Sequence, residues 1–466
     1  MLLRYFYDEK LAHASYMVGC QQLGEAVIVD PMRNIEPYIE VAEKEGMKIV
    51  GALETHIHAD FVSGSRELVD RFDVTMYVSD EGDKDWKYEN LDGVKHQLLK
   101  DGDKFTLGML TFETMYTPGH TPESISFLLT DGAAADEPMG IFTGDFVFVG
   151  DIGRPDLLEK AAGVTQTAEP GARDMYQSVK RFKDLPDYLQ VWPAHGAGSA
   201  CGKALGAVPS STVGYEKQFG WAMKIEDEQA FVDELLDGQP EPPYYFAVMK
   251  HVNKVGAELI KNLPEVKAIT SADEISKLVA EGKQVIDTRA NTSFAERHIK
   301  GTLNIPFNNS VTNWMGWVVN YEEPLYLLTN PADLDELLIA LRSIGIDNVV
   351  GYADAEKIVA EATDIDAYEN ITPAEANELL ANDNVAMLDV RNLTEYEAGN
   401  VDGSQHIMVG TLKNRFDEVP ADKKLLVLCQ SGGRSAIATA ILKANGFDDV
   451  LNVSGGYNNW QVEVKA

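Results

Sequence analysis

The stretch THIHAD at residues 55–60 decides how the first half of the chain is interpreted. It follows the apolar run IVGAL at residues 49–53, which is typical of a buried β-strand, and a helical pattern comes after it. Two imidazoles, His56 and His58, and the carboxylate of Asp60 are therefore predicted to lie on a turn between a strand and a helix. These groups suit zinc, iron or manganese, although a polar loop with hydrogen-bonded histidines would contain the same residues.

A metal-type ligand follows a strand-like run three more times in the first half of the chain, at His120, Asp145 and His195. Each of these residues lies on a turn that contains glycine or proline. Because ligands bind at the carboxyl ends of strands in α/β sheets, the four turns are expected to meet. Histidines that serve only packing would rarely produce this pattern four times, so the sequence predicts a metal site.

The order of these ligands, His-x-His-x-Asp, then His, Asp and His, resembles the metallo-β-lactamase superfamily, and within it the glyoxalase II and persulfide dioxygenase branch. The resemblance implies an α/β fold, an αββα sandwich, over residues 1–262. It also implies one Fe(II) per chain, held by His56, His120 and Asp145 with open positions for O₂ and substrate. Zn²⁺ with an activated water is the alternative.

One position departs from the pattern of that superfamily. Many members have a histidine directly after the motif's aspartate, where it binds a second metal, and this chain has Phe61. The loss weakens a second site without abolishing it, since Asp60 and His195 remain. His58, Asp60 and His195 are therefore expected either to orient the metal ligands and the substrate or to contribute to a second metal site.

Two further residues are candidates for contact with substrate. Arg154 matches the position at which similar dioxygenases hold a thiol substrate, and an ion pair with Asp156 that clamps the loop is an equally good interpretation. Cys201 follows His195 closely and is expected either to face the metal and carry sulfur or to pack as a small buried hydrophobe. Lys203 and the glycine-rich turn would lower the pKa of its thiol.

The overall composition limits the classes of partner and compartment. At 466 residues the chain has room for about three domains. With 40 basic and 74 acidic residues, its net charge of −34 argues against binding to nucleic acid or to an anionic membrane. Three distant cysteines, no signal-peptide pattern and no apolar run of about 18 residues predict a cytoplasmic protein.

The second half contains an internal repeat of about 100 residues. The run VIDTR at residues 285–289 matches MLDVR at residues 387–391. Each copy alternates short strands with helical patterns, which predicts two small α/β domains with parallel sheets over residues 266–362 and 368–466.

In the second copy, the apolar run LLVL leads to Cys429, a Gly-Gly loop, Arg434 and a helical pattern. The thiolate would lie among backbone N–H groups at a helix N-terminus beside Arg434, and both features stabilise a sulfur anion. This loop resembles the Cys-x-x-Gly-x-Arg loop of the rhodanese family. The matching loop of the first copy has no cysteine, and Asp333 stands roughly where Arg434 does. The first copy is therefore expected to be inactive and to space or dock the active domains.

Together the two resemblances imply a fusion of a persulfide dioxygenase with a rhodanese. Such a protein would use O₂ to oxidise a small-molecule thiol persulfide to sulfite, and would exchange sulfur with sulfite or thiosulfate at Cys429, in sulfide detoxification. Because the similar proteins associate, a homo-oligomer is expected.

Two other functions remain open. One is a zinc thioester hydrolase of the glyoxalase II kind with a rhodanese sulfur-carrier domain, against which Phe61 argues. The other is a sulfur carrier or sensor whose metal is only structural. Structural metal sites usually have four protein ligands, and a His-His-Asp set has three.

Overall fold

The chain forms two compact units in the computed structural model. They comprise Met1–Asn262 with Arg342–Gly345, and Leu263–Leu341 with Ile346–Ala466. The structure describes residues 1–157, 159, 167–203, 205–239 and 241–464. Residues 465 and 466, with which the third predicted domain ends, lie outside the described residues.

The first unit contains two six-stranded sheets. Its strands are β1 Leu2–Asp8, β2 His13–Cys20, β3 Glu25–Val29, β4 Lys48–Leu53, β5 Thr75–Ser79, β6 His96–Leu99, β7 Lys104–Leu107, β8 Leu110–Tyr116, β9 Ile125–Asp131, β10 Gly140–Gly144, β11 Gln190–Pro193 and β12 Ser211–Thr212. The sheets have the orders β1-β2-β3-β4-β5-β6 and β12-β11-β10-β9-β8-β7. Because β9 is antiparallel to both β8 and β10, and β10 is parallel to β11, the strands β8, β10 and β11 run in one direction.

Helices cover both outer faces of this pair of sheets. The described helices of the first unit are α1 Glu36–Glu45, α2 Ser65–Phe72, α3 Ala168–Lys183, α4 Val213–Phe219, α5 Glu228–Leu236 and α6 Phe246–Val255. Tyr38 and Leu68 pack on the first sheet, Phe112 and Phe142 pack between the sheets, and Phe182 packs on the second. The predicted αββα sandwich is confirmed. No helix in the described part of the chain combines the length and the apolar character that crossing a membrane requires.

The chain after residue 262 forms two similar five-stranded sheets. Its strands are β13 Lys267–Ala268, β14 Gln284–Asp287, β15 His298–Ile299, β16 Leu303–Asn304, β17 Leu325–Thr329, β18 Val349–Asp354, β19 Ile365–Asp366, β20 Asn370–Ile371, β21 Val385–Asp389, β22 Gln405–His406, β23 Lys424–Leu428 and β24 Val450–Val453. Its helices are α7 Ala272–Ala280, α8 Asn291–Glu296, α9 Val311–Val318, α10 Leu334–Ser343, α11 Ala355–Glu361, α12 Pro373–Leu379, α13 Leu393–Glu397, α14 Gly433–Ala444 and α15 Gly456–Glu463.

The two large sheets have equivalent strand orders, β13-β18-β17-β14-β16 and β20-β24-β23-β21-β22. All of their neighbouring strands are parallel. The prediction of two α/β copies with parallel sheets is therefore confirmed.

The two copies share packing inside the second unit. Trp317, on α9 of the first copy, lies in a buried cluster with Leu388 and Ile407 of the second copy. A Cβ atom on Gly410 would lie 2.4 Å from the Trp317 ring, so only glycine fits there. The hydrophobic core of the second copy is therefore completed by a side chain of the first.

Candidate metal centre and thiol loop

The loops after β4, β8 and β10 bring three ligand-type side chains together. His56 Nε2 lies 3.9 Å from Asp145 Oδ2, and His120 Nε2 lies 3.4 Å from the same oxygen. The three ligand atoms lie within 4.8 Å of one another, and all three side chains are buried. The side chains predicted as one metal set thus converge.

Hydrogen bonds turn both imidazoles of this set inward. Thr55 Oγ1 donates to Asp30 Oδ2 at 2.9 Å, so it accepts from His56 Nδ1 at 3.0 Å. His120 Nδ1 donates to the carbonyl of Arg154 at 2.9 Å. In both rings the proton is held on Nδ1, which leaves the Nε2 lone pair for a metal.

The inward atoms fit a metal ion because they lack other partners. Among the described residues, His56 Nε2 and both oxygens of Asp145 are buried without a hydrogen-bond partner. Buried polar atoms are rarely left in that state, since desolvation without compensation is costly. Two imidazoles and one carboxylate are a donor set for iron or zinc.

Gly144 allows the loop after β10 to approach the loop after β4. Its φ is +52°, and a Cβ atom there would lie 2.3 Å from Thr55 Oγ1. Only glycine tolerates both conditions, so it places Asp145 next to the Thr55–His56 turn.

The ring of His58 is engaged through its Nε2 atom, whereas its Nδ1 is buried without a hydrogen-bond partner among the described residues. Its Nε2 lies 3.1 Å from Asp30 Oδ1 and 3.2 Å from Glu54 Oε2. Burial opposes the charged ring, but the two carboxylates outweigh it and raise the pKa of His58 well above its ordinary value. Of the two roles predicted for His58, the placement favours bracing the motif through Asp30.

Asp60 and His195 form a second group beside the first. His195 Nε2 lies 3.0 Å from Asp60 Oδ2 and 3.3 Å from Asp145 Oδ1. Cys201 joins them, since its Sγ lies within 4.8 Å of their ligand atoms. Phe61 packs against His13, with ring centroids 3.8 Å apart and the ring planes tilted by 32°.

The expected effect of Lys203 on Cys201 was wrong. Lys203 Nζ donates to the carbonyl of Glu234 at 2.6 Å. Cys201 is 1% exposed, and burial, followed by the charge of Asp145, raises the pKa of its thiol. Lys203 is close to Cys201 in sequence, but its ammonium group binds Glu234 instead of the thiol.

In the second copy, Cys429 directly follows β23 and opens the loop that leads to α14 at Gly433. The backbone N–H of Gly432 donates to Cys429 Sγ at 3.1 Å, and Ser435 Oγ donates to it at 3.4 Å. Gly432 takes a φ of +101°, which turns its N–H toward the sulfur. Arg434, at the first turn of the helix, is held by two hydrogen bonds to Glu395 at 2.5 and 2.6 Å. Backbone donors and a helix N-terminus stabilise a sulfur anion at this position.

The matching loop of the first copy is built differently. Residues Pro331–Asp333 form a short 3₁₀ helix, and the side chain of Asn330 accepts from the N–H of Ala332 at 3.1 Å. A side-chain amide thus satisfies the turn where the second copy presents a thiol. The expectation that this copy is inactive agrees with that difference and stays a prediction.

Comparisons with known proteins match this organisation. A family model described as "Metallo-beta-lactamase superfamily" matches residues 9–195, and one described as "Rhodanese-like domain" matches residues 372–463. A crystal structure of a metallo-beta-lactamase from Staphylococcus aureus subsp. aureus COL is 43% identical to the chain, with a TM-score of 0.68, and covers 75% of this chain and 98% of its own. The chain belongs to the metallo-β-lactamase superfamily.

Curated relatives of the metallo-β-lactamase domain include both persulfide dioxygenases and hydrolases. Human mitochondrial persulfide dioxygenase ETHE1 is 29% identical over 198 residues, which cover 42% of this chain and 68% of that protein. A hydroxyacylglutathione hydrolase from Synechococcus sp. is 29% identical over 171 residues, which cover 37% of this chain and 59% of that protein. The predicted combination of a domain related to persulfide dioxygenases with a C-terminal rhodanese-like domain is confirmed.

Arg154 of the metallo-β-lactamase domain is fully buried, at 0% exposure. Its Nε and Nη2 donate to the two oxygens of Asp156 at 2.7 and 2.6 Å. Because its carbonyl also accepts from His120, the ion pair stabilises the loop that orients a ligand. The geometry favours the clamp over contact with substrate.

Replacing Arg154 with methionine is expected to lower the free energy of unfolding by about 3–5 kcal/mol, because Asp156 would be left buried without its cation. Urea unfolding of the full chain measures the loss. The matched control is the double variant Arg154→Met/Asp156→Leu, which removes both charges and should recover most of the stability. Equal instability of the single and double variants would contradict the clamp.

Sequence reasoning missed Glu123 and His13. Glu123 is fully buried and accepts from the N–H of Ile57, between the two motif histidines, at 2.7 Å. His13 is buried, and neither ring nitrogen has a hydrogen-bond partner among the described residues. Glu123 is only three residues from His120, so its position was a usable signal, whereas His13 lies in an apolar strand that reveals nothing about the site.

Burial raises the pKa of Glu123 to about 7. The folded chain therefore binds the proton of the Glu123 carboxyl more tightly than the unfolded chain does. The stability that this proton contributes is lost as the pH rises from the ordinary pKa of glutamate, 4.5, through 7. Replacing Glu123 with glutamine keeps the acceptor for Ile57 and removes the buried charge. The variant is expected to gain about 2 kcal/mol over the wild type at pH 8 and almost nothing at pH 4.5. Urea midpoints at the two pH values test this, and parallel pH dependences would disprove it.

Proposed function

We propose that the chain is a non-haem iron persulfide dioxygenase that also carries a rhodanese-type sulfurtransferase. The observation that carries the proposal is the presence in one chain of a His-His-Asp metal set and a cysteine in an anion-stabilising loop. Two imidazoles and one carboxylate leave positions open on Fe(II). The persulfide dioxygenase relatives support this assignment.

In this proposal His56, His120 and Asp145 hold the iron. Bound there, Fe(II) would supply adjacent positions for O₂ and a persulfide sulfur. The chain itself fixes the rings, through Thr55 and through the carbonyl of Arg154. The net reaction is RSSH + O₂ + H₂O → RSH + SO₃²⁻ + 2H⁺, so the carrier thiol is released and the outer sulfur is oxidised.

The rhodanese-like domain would transfer the outer, reduced sulfur atom of thiosulfate through Cys429. The Cys429 thiolate attacks the outer sulfur of thiosulfate, a new S–S bond forms on the cysteine, and sulfite leaves with the electron pair of the broken bond. The N–H of Gly432 stabilises the sulfur anion before and after this transfer. The reverse step returns the sulfur to sulfite as thiosulfate, so the sulfite from the first domain is a co-substrate for the second.

The partners of this function are a small-molecule thiol persulfide, O₂, and sulfite or thiosulfate. The cytoplasmic location, the homo-oligomer and the absence of nucleic-acid and membrane binding stay predictions. A zinc thioester hydrolase with a rhodanese sulfur carrier is the second candidate, because hydroxyacylglutathione hydrolases are among the relatives.

One experiment separates the two candidates. Full-length protein is purified without air, its metal content is measured, and O₂ uptake is followed with a persulfide of a small thiol. About one iron per chain, with O₂ uptake and formation of sulfite or thiosulfate, is the expected result. Zinc in its place, with no uptake and with cleavage of a glutathione thioester, would overturn the dioxygenase and favour the hydrolase.

A further inference from the structure

The first compact unit contains four residues from the second half of the chain. They are Arg342–Gly345, which include the last two residues of α10 and lie in the sequence of the first copy. The remainder of that copy belongs to the second compact unit. The function proposed above uses none of these four residues, and the first copy has no cysteine. What they contact in the first unit therefore indicates what this copy contributes.

The main chain of this segment binds the motif loop, which we define as residues 56–63. The N–H of Val62 donates to the carbonyl of Ser343 at 2.7 Å. Val62 is fully buried and lies two residues after Asp60. The last carbonyl groups of a helix have no partner within the helix, and a buried N–H without a partner is costly. The bond between Val62 and Ser343 therefore satisfies both groups and fixes one end of the motif loop.

A buried cation binds the same helix end. Arg33 is fully buried, and its Nη1 and Nη2 donate to the carbonyls of Arg342 and Glu258, both at 2.8 Å. A positive charge at the C-terminus of a helix is stabilised by the partial negative charge of the carbonyl groups. Arg33 lies three residues after Asp30, the carboxylate that accepts from Thr55. The end of α10 is thus attached to the turn after β3 as well as to the motif loop.

The side chain of Asn253, on α6, fixes the motif loop on either side of Val62. Its Nδ2 donates to the carbonyls of His58 at 2.8 Å and of Phe61 at 2.6 Å. Its Oδ1 accepts from the N–H of Ser63 at 2.9 Å. All of these partners are main-chain groups, so the amide holds the backbone itself. Three consecutive residues of the loop, Phe61, Val62 and Ser63, are therefore held either by α6 or by the end of α10.

Gly345 packs the segment against α6 and the motif loop. Its φ is +72°, and a Cβ atom there would lie 2.6 Å from Met249 Cε and 3.5 Å from Val62 Cγ2. Met249 is itself fully buried on α6. A larger residue at position 345 would therefore displace Met249 and press on Val62.

We propose that Arg342–Gly345 is a positioning element for the metal ligands, so that the first copy contributes to the metal centre although it has no cysteine. The segment holds the motif loop in the conformation in which His56 lies beside His120 and Asp145. A metal ion bound to these three residues requires the same loop conformation, so metal binding and the contacts of the segment stabilise each other. The inference rests on the proposed metal set, but not on the identity of the metal or on O₂ chemistry.

A matched pair of glycine variants in the full-length protein tests the inference. Gly345 and Gly446 are equivalent in the two copies, within GID at residues 345–347 and GFD at residues 446–448, and their φ angles are +72° and +86°. Leucine therefore causes backbone strain at both positions. A Cβ atom on Gly446 would meet no described atom within 4 Å, whereas one on Gly345 meets Met249. Only Gly345→Leu should disturb the motif loop.

Co²⁺ added to the metal-free proteins is the probe, because its ligand-field absorption reports the geometry of the ligands around it. Gly345→Leu is expected to bind its first Co²⁺ at least about tenfold more weakly than the wild type and with a changed absorption spectrum. Gly446→Leu should match the wild type in both, although leucine should lower the urea midpoint of either variant. Unchanged affinity and spectrum in Gly345→Leu would overturn the inference.

Hydrogen exchange on the wild type keeps the test decisive if Gly345→Leu does not fold. Co²⁺ should slow the exchange of the amides at residues 342–345 at least about fivefold, because metal binding stabilises the contacts of the segment. Residues 443–446 of the second copy are the internal control, since Gly446 donates to the carbonyl of Lys443 as Gly345 does to that of Arg342. Equal exchange of residues 342–345 with and without Co²⁺ would contradict the inference alone, whereas a wild type that binds no Co²⁺ would overturn the metal set as well.

Discussion

Replacing Cys429 with serine is expected to reduce sulfur transfer from thiosulfate to cyanide by at least about a thousandfold. Serine cannot form the persulfide on which transfer depends, and no other cysteine lies in the Gly432 loop. O₂ uptake with a ready-made persulfide should stay within about twofold of the wild type, since the metal ligands lie in the other compact unit.

The control for this variant is Cys20→Ser. Cys20 is buried in the core between the two sheets and should not affect sulfur transfer. Equal loss of sulfur transfer and O₂ uptake in Cys429→Ser would mean that both activities depend on one thiol. That result would contradict the proposal that they take place at separate sites.

Replacing His120 with alanine is the complementary change. His120 belongs only to the first metal group, so its loss removes one of three ligands and leaves His56 and Asp145 in place. Iron content should fall to a small fraction of the wild-type value, and O₂ uptake should fall at least about a thousandfold. Thiosulfate–cyanide transfer at Cys429 should be retained within about twofold.

Iron analysis and both assays on the same preparation check this prediction. The matched control is His96→Ala, because His96 is exposed on β6 and should leave the metal unchanged. If His120→Ala kept its iron and its O₂ uptake, the assignment of the first metal set would be wrong.

The sequence was most informative where a chemical group follows a strand. His120, Asp145 and His195 each follow a strand of the second sheet that runs in the same direction, so their convergence followed from the local pattern. His56 follows β4 of the first sheet, and its approach to them depends on how the two sheets pack. The anion-stabilising loop at Cys429 could also be predicted from local sequence, because the groups that donate hydrogen bonds to the thiol lie within six residues of it.

The supports of the site could not be predicted in the same way. Asp30 braces both His56 and His58 only because β3 and β4 are parallel neighbours, and nothing local in residues 27–31 indicates that. The approach of Cys201 to Asp60 likewise depends on three-dimensional packing, since the two residues are far apart in sequence. The sequence could not decide the role of Arg154, because an arginine serves equally well in substrate binding and in a buried ion pair.

The packing of Trp317 against the second copy has a consequence for how this half of the chain is maintained. A truncation that starts at the second copy would remove an indole from its interior and expose apolar surface around Gly410. The first copy can therefore lack every reactive group and still be needed for the folding of the second copy, because it supplies Trp317 to that core. Its mutations would then show up as loss of sulfur transfer by a domain in which they do not occur.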